Sequence, residues 1–153
     1  MPIQHILVPF DFSLDAEQAL AYAMALAQTH QARLTLLHVK DTLSWGVAQA
    51  EARLPPSVWY QLETRLAEDM AELLTRVQEA GLHGETVIAE GVPFQTIIDT
   101  ARDAGVDLIV MGTRGRTELT HVLLGSVAEK VVRLAPCPVL VTRGSTETST
   151  ATA

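Results

Sequence analysis

The chain has 153 residues and carries a formal net charge of −7. A chain of this length suits a single domain that can bury most of its unfolded surface. The acidic balance disfavours a duplex nucleic-acid partner, because such a partner needs a broad basic face to neutralise its phosphates.

Strand and helix patterns alternate along the chain, which is typical of a parallel sheet built from βα units. The pattern predicts, in chain order, a strand near 3–9, a helix near 14–30, a strand near 33–40, a helix near 58–80, a strand near 84–90, a helix near 94–104, a strand near 107–112, a helix near 126–135 and a strand near 138–143. Right-handed crossovers place helices on both faces of such a sheet. The predicted fold is therefore a three-layer, Rossmann-like α/β domain over residues 1–143, and the polar tail 144–153 is predicted to be disordered.

Three glycines lie between the fourth predicted strand and the last predicted helix, in the pattern Gly112-x2-Gly115-x9-Gly125-Ser126. Glycine has no Cβ, so its backbone can come close to a ligand and point amide N–H groups at bound oxygens. Ser126 adds a hydroxyl at a helix N-terminus, where free N–H groups favour an anion. The pattern predicts a phosphate site at the carboxyl end of the fourth strand.

A structural interpretation of the same residues stays open. Each glycine could serve a turn, and Ser126 with Glu129 could form a capping box that needs no ligand. Local charge favours a ligand, since five basic and two acidic residues lie within 110–143 of an otherwise acidic chain. The pattern is neither a P-loop nor a GxGxxG fingerprint. Its nine-residue spacer could cross a nucleotide and return, bringing Gly125 and Ser126 near Gly112.

The glycine pattern resembles the ATP-binding signature of the universal stress protein family. Two further segments resemble this family, namely Ile6-Leu-Val-Pro-Phe-Asp11-Phe-Ser13 and Leu36-Leu-His-Val39. The resemblance covers residues 1–143, with 41–57 as the least similar part. It implies a five-stranded sheet in the order 3-2-1-4-5. Strands 1 and 4 are then neighbours, and Asp11 lies opposite Gly112 across a crevice.

The resemblance also implies a role for each motif residue. It assigns Pro9, Asp11 and Val39 to the adenine and ribose, Met111 and Gly112 to the ribose, and Gly115, Gly125, Ser126 and Val127 to the phosphates. Arg114 and Arg116 could pair with outer phosphate oxygens or be solvated. Asp11 has an alternative role as the cap of the helix that begins near Asp15. Mg²⁺ is expected to arrive with the phosphates, since the five histidines form no metal-binding pair.

Three functions stay open on the sequence. The resemblance favours an ATP-binding stress-response or signalling module, with ADP, AMP or a cyclic nucleotide as other candidate ligands. A slow ATPase is the second, although Asp11 at the adenine end lies too far from the γ-phosphate to act as its base. The third is a structural dimer without a ligand. The resemblance also implies a homodimer, with the edge strand Val139–Thr142 as its contact.

Targeting and redox features favour the cytoplasm. The N-terminal residues lack the cationic start and the long apolar core of a signal peptide. No apolar run approaches the length needed to span a bilayer, so no membrane partner is expected. The single cysteine, Cys137, rules out an internal disulfide and is interpreted as a buried structural thiol.

Overall fold

Five parallel strands form the central sheet of the computed structural model, which describes residues 2–42, 54–113 and 124–143. The strands are β1 (His5–Pro9), β2 (Arg33–Asp41), β3 (Gly84–Gly91), β4 (Leu108–Gly112) and β5 (Val139–Thr142). They lie in the order β3-β2-β1-β4-β5, and every neighbouring pair is parallel. The predicted strands and their predicted order are confirmed. The predicted tail, 144–153, lies outside the described residues.

Within the described ranges, the helices that connect the strands are α1 (Leu14–His30), α2 (Pro56–Glu79), α3 (Pro93–Asp103) and α4 (Ser126–Leu134). Ser13 caps α1, because its Oγ accepts the backbone N–H of Ala16 at 3.1 Å. α2 and α3 begin at a proline, whose missing N–H is not needed at the first helical position. This explains why α2 begins at Pro56, before the predicted start at 58. None of these helices is long and apolar enough to cross a membrane.

Two apolar cores lie on the two faces of the sheet. α1 and α2 cover the first face, and α3 and α4 cover the second. Side chains of β1 alternate between the cores, with Ile6 and Val8 in the first and Leu7 in the second, all fully buried. Truncating one such side chain to alanine costs about 2–5 kcal/mol of folding free energy. The centre of the sheet is therefore the rigid part that positions the strand ends.

β2 and β3 extend past β1 at the carboxyl edge of the sheet, where the strands end. β1 ends at Pro9, paired with Leu37, whereas β2 and β3 stay paired as far as Asp41 and Gly91. The extension forms a wall beside the end of β1. Val39 lies on this wall, on the side of the second core.

Candidate functional site

The candidate site lies at the carboxyl edge, where β1 and β4 end side by side. The chain passes from β1 into α1 on the first face, and α4 covers the second face after β4. Open α/β sheets bind ligands in the crevice that forms at such a change of winding direction. Eight of the predicted site residues lie at this edge: Pro9, Asp11, Val39, Met111, Gly112, Gly125, Ser126 and Val127. Arg114, Gly115 and Arg116 lie outside the described residues.

Asp11 lies in the turn between β1 and α1. Its Oδ1 accepts the backbone N–H of Ser13 at 3.0 Å, which is the hydrogen bond of an Asx turn. The cap of α1 is Ser13, so the interpretation of Asp11 as that cap is wrong.

Phe12 follows Asp11 with a φ of +65°, a left-handed conformation that is uncommon for a bulky residue. Its ring packs edge-on against Phe10, with centroids 5.0 Å apart, and tilted against His38 at 5.4 Å. His38 Nδ1–H donates to the Phe10 carbonyl at 2.8 Å, because a carbonyl oxygen can only accept. These aromatic contacts hold the backbone turn that carries Asp11.

Apolar side chains from three elements pack together on the second face of the sheet at this edge. Met111 of β4 is 5% exposed and belongs to the second core. Val39 of β2 and Val127 of α4 are partly buried against the same core. An apolar surface with a few polar groups at its rim is the usual composition of a small-molecule site, and it suits an adenine ring and a ribose.

Gly112, at the end of β4, is in close contact with the first turn of α1. A Cβ built on Gly112 would lie 2.5 Å from the Asp15 Cβ and 2.9 Å from the Asp15 carbonyl carbon. The second of these atoms belongs to the backbone and cannot rotate away. The absent side chain of Gly112 therefore lets α1 approach β4, which is a structural reason for this glycine that applies with or without a ligand.

Thr113 is a buried residue of the site that the sequence analysis missed. Its hydroxyl donates to Asp15 Oδ2 at 2.9 Å, and its backbone N–H donates to the Thr142 carbonyl at 3.0 Å. Its own carbonyl accepts the backbone N–H of Gly125. Thr113 is 6% exposed and Asp15 is 3% exposed. The hydrogen bond to Gly125 brings the N-terminus of α4 to the end of β4, as the long spacer between the glycines predicts.

The N-terminus of α4 offers backbone donors to this crevice. Gly125 is the N-cap, with φ −69° and ψ 164°, and no side-chain hydrogen bond caps the helix. The capping-box interpretation of Ser126 and Glu129 is therefore wrong, and Ser126 is the first helical residue. The N–H groups of Ser126, Val127 and Ala128 have no intrahelical partners. The Gly125 N–H is already donated to Thr113, so Gly125 differs from these three residues.

Two further groups bear on the electrostatics of this part of the molecule, the Lys130 ammonium group and the Cys137 thiol. Lys130 Nζ of α4 lies 4.7 Å from the centroid of the Phe94 ring of α3, a cation–π contact that joins the two helices. The thiol of Cys137 is half-buried, not fully buried as predicted. Its partial burial raises its pKa, and the nearby Asp107 carboxylate raises it further. Cys137 precedes β5 at the amino edge of the sheet, away from the crevice, and a protonated thiol there agrees with a structural role.

Residues 2–143 match the profile of the Universal stress protein family. Universal stress protein MJ0577 of Methanocaldococcus jannaschii is 34% identical over 152 residues, and the match covers 90% of this chain and 93% of that protein. The solved structure of MJ0577 superposes with a TM-score of 0.83 at 31% identity, covering 96% of this chain and 100% of that one. UspA of Lactobacillus plantarum superposes with a TM-score of 0.77 at 33% identity, covering 94% and 99%. A family member from Archaeoglobus fulgidus in complex with dAMP has a TM-score of 0.64 at 22% identity, covering 93% and 99%, which shows a shared fold.

Proposed function

Because this chain belongs to the universal stress protein family, we propose that it binds an adenine nucleotide, with ATP as the first candidate, in the crevice between β1 and β4. It acts in this proposal as a cytoplasmic stress-response or signalling module with little or no intrinsic hydrolysis. The observation that carries the proposal is the hydrogen bond from the Gly125 N–H to the Thr113 carbonyl. This bond holds the N-terminus of α4, a natural phosphate site, against the end of β4.

The phosphates are proposed to bind at the N-terminus of α4. The N–H groups of Ser126, Val127 and Ala128 point out of the helix end, and the helix dipole adds about half a unit of positive charge there. The Ser126 hydroxyl supplies a further donor. By the family resemblance, Gly115 is proposed to add a phosphate contact. Arg114 and Arg116 are proposed to pair with outer phosphate oxygens, because a guanidinium matches phosphate geometry. All three residues lie outside the described residues.

The adenine and ribose are proposed to bind at the β1 and β2 side of the crevice. Val39 and Met111 supply apolar contact with the second core behind them, and Pro9 ends β1 between them. The Asp11 carboxylate is an acceptor that is proposed to take a hydrogen bond from the exocyclic amine of adenine or from a ribose hydroxyl. This division puts the base and the phosphates at opposite ends of one crevice.

Binding without rapid turnover is supported by the acidic residues at this edge. Asp15 is buried and accepts the Thr113 hydroxyl, and Asp11 belongs to the adenine end. A catalytic base must reach the attacking water within hydrogen-bond distance, and neither of these carboxylates is well placed to do so at the γ-phosphate. The described residues contain no group of three or more His, Cys, Asp or Glu side chains that could hold a metal ion. Mg²⁺ is therefore proposed to be held by the phosphates.

Ser126→Pro tests the phosphate site with little disturbance of the helix. Ser126 is the first residue of α4, and α2 and α3 of the same chain already begin with proline. The extended conformation of Gly125 also suits a residue that precedes proline. The substitution removes one amide donor and one hydroxyl. We expect ATP affinity, measured by isothermal titration calorimetry, to fall about tenfold.

Ser126→Ala is the matched control, because it removes the hydroxyl and keeps the amide. We expect it to lose less ATP affinity than Ser126→Pro, and we expect adenosine affinity to be unchanged in both variants. For the wild type, ATP at about a hundred times its dissociation constant should raise the free energy of unfolding by roughly 2.7 kcal/mol. No stabilisation by ATP, ADP, AMP or cyclic AMP, and no small molecule found by mass spectrometry of the purified protein, would refute the proposed function.

We also propose a homodimer that forms through β5. β5 is the last strand in the sheet order, and its Leu140 is 37% exposed. An apolar edge strand is a natural surface for pairing with a second copy. We expect Leu140→Lys to shift the mass in solution from dimer to monomer in light scattering. Tyr60→Lys, at an exposed position of α2 far from this edge, is the control and should stay dimeric.

A further inference from the structure

Thr113 joins three elements at the carboxyl edge through three hydrogen bonds. Its side chain bonds to α1 at Asp15, its N–H bonds to β5 at Thr142, and its carbonyl bonds to Gly125 ahead of α4. Because the residue is buried, water does not compete for these bonds. The orientation of Thr113 therefore depends on its neighbours, and the position of the Gly125 amide depends on Thr113.

Asp15 is the acidic member of this arrangement. It occupies the first turn of α1 and is buried, and its backbone is fixed by the close contact with Gly112. The side chain of Asp15 thus holds the Thr113 hydroxyl from a position that cannot easily shift.

We propose that Asp15 is a positioning residue for the nucleotide site, acting through Thr113 to set the separation between the end of β4 and the N-terminus of α4. The inference rests on the proposed function. Asp15 does not touch the nucleotide. It fixes the Thr113 hydroxyl, Thr113 fixes the Gly125 amide, and the donors of Ser126 and Val127 follow directly after Gly125 in the chain. Donors that are fixed before the ligand arrives bind it at a lower entropic cost.

The arrangement predicts an effect on phosphate recognition alone. The α4 amides contact phosphates in the proposed site, whereas the adenine contacts come from β1, β2 and Met111. Loss of the Asp15–Thr113 hydrogen bond should therefore weaken ATP and ADP and leave adenosine unchanged. A residue that only stabilises the fold would change the melting temperature without changing the affinity of the folded protein for any of the three ligands.

Thr113→Val is the main test, because it removes the hydroxyl and keeps the shape of the side chain. We expect about a tenfold loss of ATP affinity at a temperature where the variant is fully folded, with adenosine affinity unchanged. Thr113→Ser should restore ATP affinity, since it restores the hydroxyl. The double variant Asp15→Ala with Thr113→Val should lose no more affinity than the larger single loss, because both changes break the same hydrogen bond.

Thr35→Val is the matched control. It removes another buried threonine hydroxyl, one at the opposite edge of the sheet whose own bond runs to Glu85 Oε1 at 3.0 Å, and it should leave ATP affinity unchanged. Equal losses of ATP and adenosine affinity in Thr113→Val, or unchanged ATP affinity with a lowered melting temperature, would overturn the proposal.

A second measurement needs no ligand and separates this proposal from the proposed function. In hydrogen exchange of the wild type and Thr113→Val, we expect the Gly125 amide to exchange about tenfold faster in the variant, and the Leu36 amide of β2 to be unchanged. If the wild type binds no adenine nucleotide, the proposed function fails and the role of Asp15 in nucleotide binding fails with it. If the wild type binds ATP but Gly125 exchange is the same in both proteins, only the positioning role is overturned.

Discussion

The two edges of the sheet use their polar groups in opposite ways. At the amino edge, where the strands begin, Arg33 Nη2 donates to His5 Nδ1 at 3.2 Å, so His5 Nε2–H donates to Thr35 Oγ1 at 2.7 Å. The Thr35 hydroxyl donates in turn to Glu85 Oε1 at 3.0 Å. Asp107 Oδ2 accepts the backbone N–H of His5 at 2.9 Å. These side chains bond to one another or to the backbone, and His5 and Thr35 are buried.

At the carboxyl edge, side-chain hydrogen bonds hold the backbone around the end of β4. Asp15 and Thr113 bond to each other, but they serve to hold Gly125, and the next amides along α4 have no partner within the helix. The two edges of the sheet therefore have different roles. Changes at the amino edge should alter mainly the free energy of unfolding, whereas changes at the carboxyl edge should alter mainly ligand affinity.

Gly112→Ala should have the largest effect, and this effect should be on the free energy of unfolding. It is an exception to the difference between the edges. Gly112 is at the carboxyl edge, yet an added Cβ would meet the backbone of Asp15. We expect the free energy of unfolding, measured by urea denaturation, to fall by about 3 kcal/mol. Gly105→Ala is the control, because nothing lies within 4 Å of its added Cβ. Its φ of +64° should cost about 1 kcal/mol. Equal losses in the two variants would argue against close packing at Gly112.

The fold could be predicted because its signals are local. Apolar spacing predicts the strand near 107–112 and the helix near 126–135, and the structure has Leu108–Gly112 and Ser126–Leu134 at these places. The order of the strands has no such local signal. Parallel neighbours are far apart in sequence, so apolar spacing does not determine their order, and the family resemblance supplied it.

The site could be predicted only where its signals are local. The glycine pattern identifies both ends of the crevice, but Asp15 and Thr113 are 98 positions apart and no pattern connects them. The start of α4 shows a related difficulty. Ser126 and Glu129 have the spacing of a capping box, yet Gly125 is the cap. Its amide is held by Thr113, a contact that cannot be read from the sequence of the helix.

The next largest effect should be a pH dependence of the free energy of unfolding, and it comes from His5 at the amino edge. Burial lowers the pKa of His5 below its usual 6.5, and the Arg33 guanidinium lowers it further, against opposing effects of the Ala104 backbone, Glu85 and Asp107. The unfolded chain therefore takes up a proton at His5 before the folded protein does. The stabilising contribution of neutral His5 is complete above pH 6.5 and is lost as the pH falls from there through the lowered pKa.

We expect the free energy of unfolding of the wild type to fall below pH 6.5, with a contribution from His5 of at most about 1.4 kcal/mol per pH unit. His5→Gln should remove that contribution, as measured by urea denaturation at a series of pH values. His83→Gln is the control, because it replaces an exposed histidine at the same edge, and its pH dependence should match the wild type. A His5→Gln profile parallel to that of the wild type would show that the buried cluster does not resist protonation.

The smallest effect should come from an ion pair that belongs to neither edge. Arg76 of α2 donates to both carboxylate oxygens of Glu17 of α1, at 3.1 and 2.8 Å, and this hydrogen bonding raises the pKa of Arg76. These donor–acceptor distances are similar to those of the hydrogen bonds from His5 to Thr35 and from Thr35 to Glu85. The two side chains, however, are 49% and 42% exposed, so water and salt compete with the pair.

A double-mutant cycle with Glu17→Gln and Arg76→Met should give a coupling energy of about 0.2–1 kcal/mol, decreasing in high salt. The same cycle with His5→Phe and Thr35→Val is the comparison at the amino edge, where His5 and Thr35 are both buried and the hydrogen bond between them, at 2.7 Å, should be worth about 1.5 kcal/mol. If the exposed pair coupled as strongly as the buried one, hydrogen-bond geometry would decide the strength of these interactions. The contrast between the edges, which depends on burial, would then lose its physical basis.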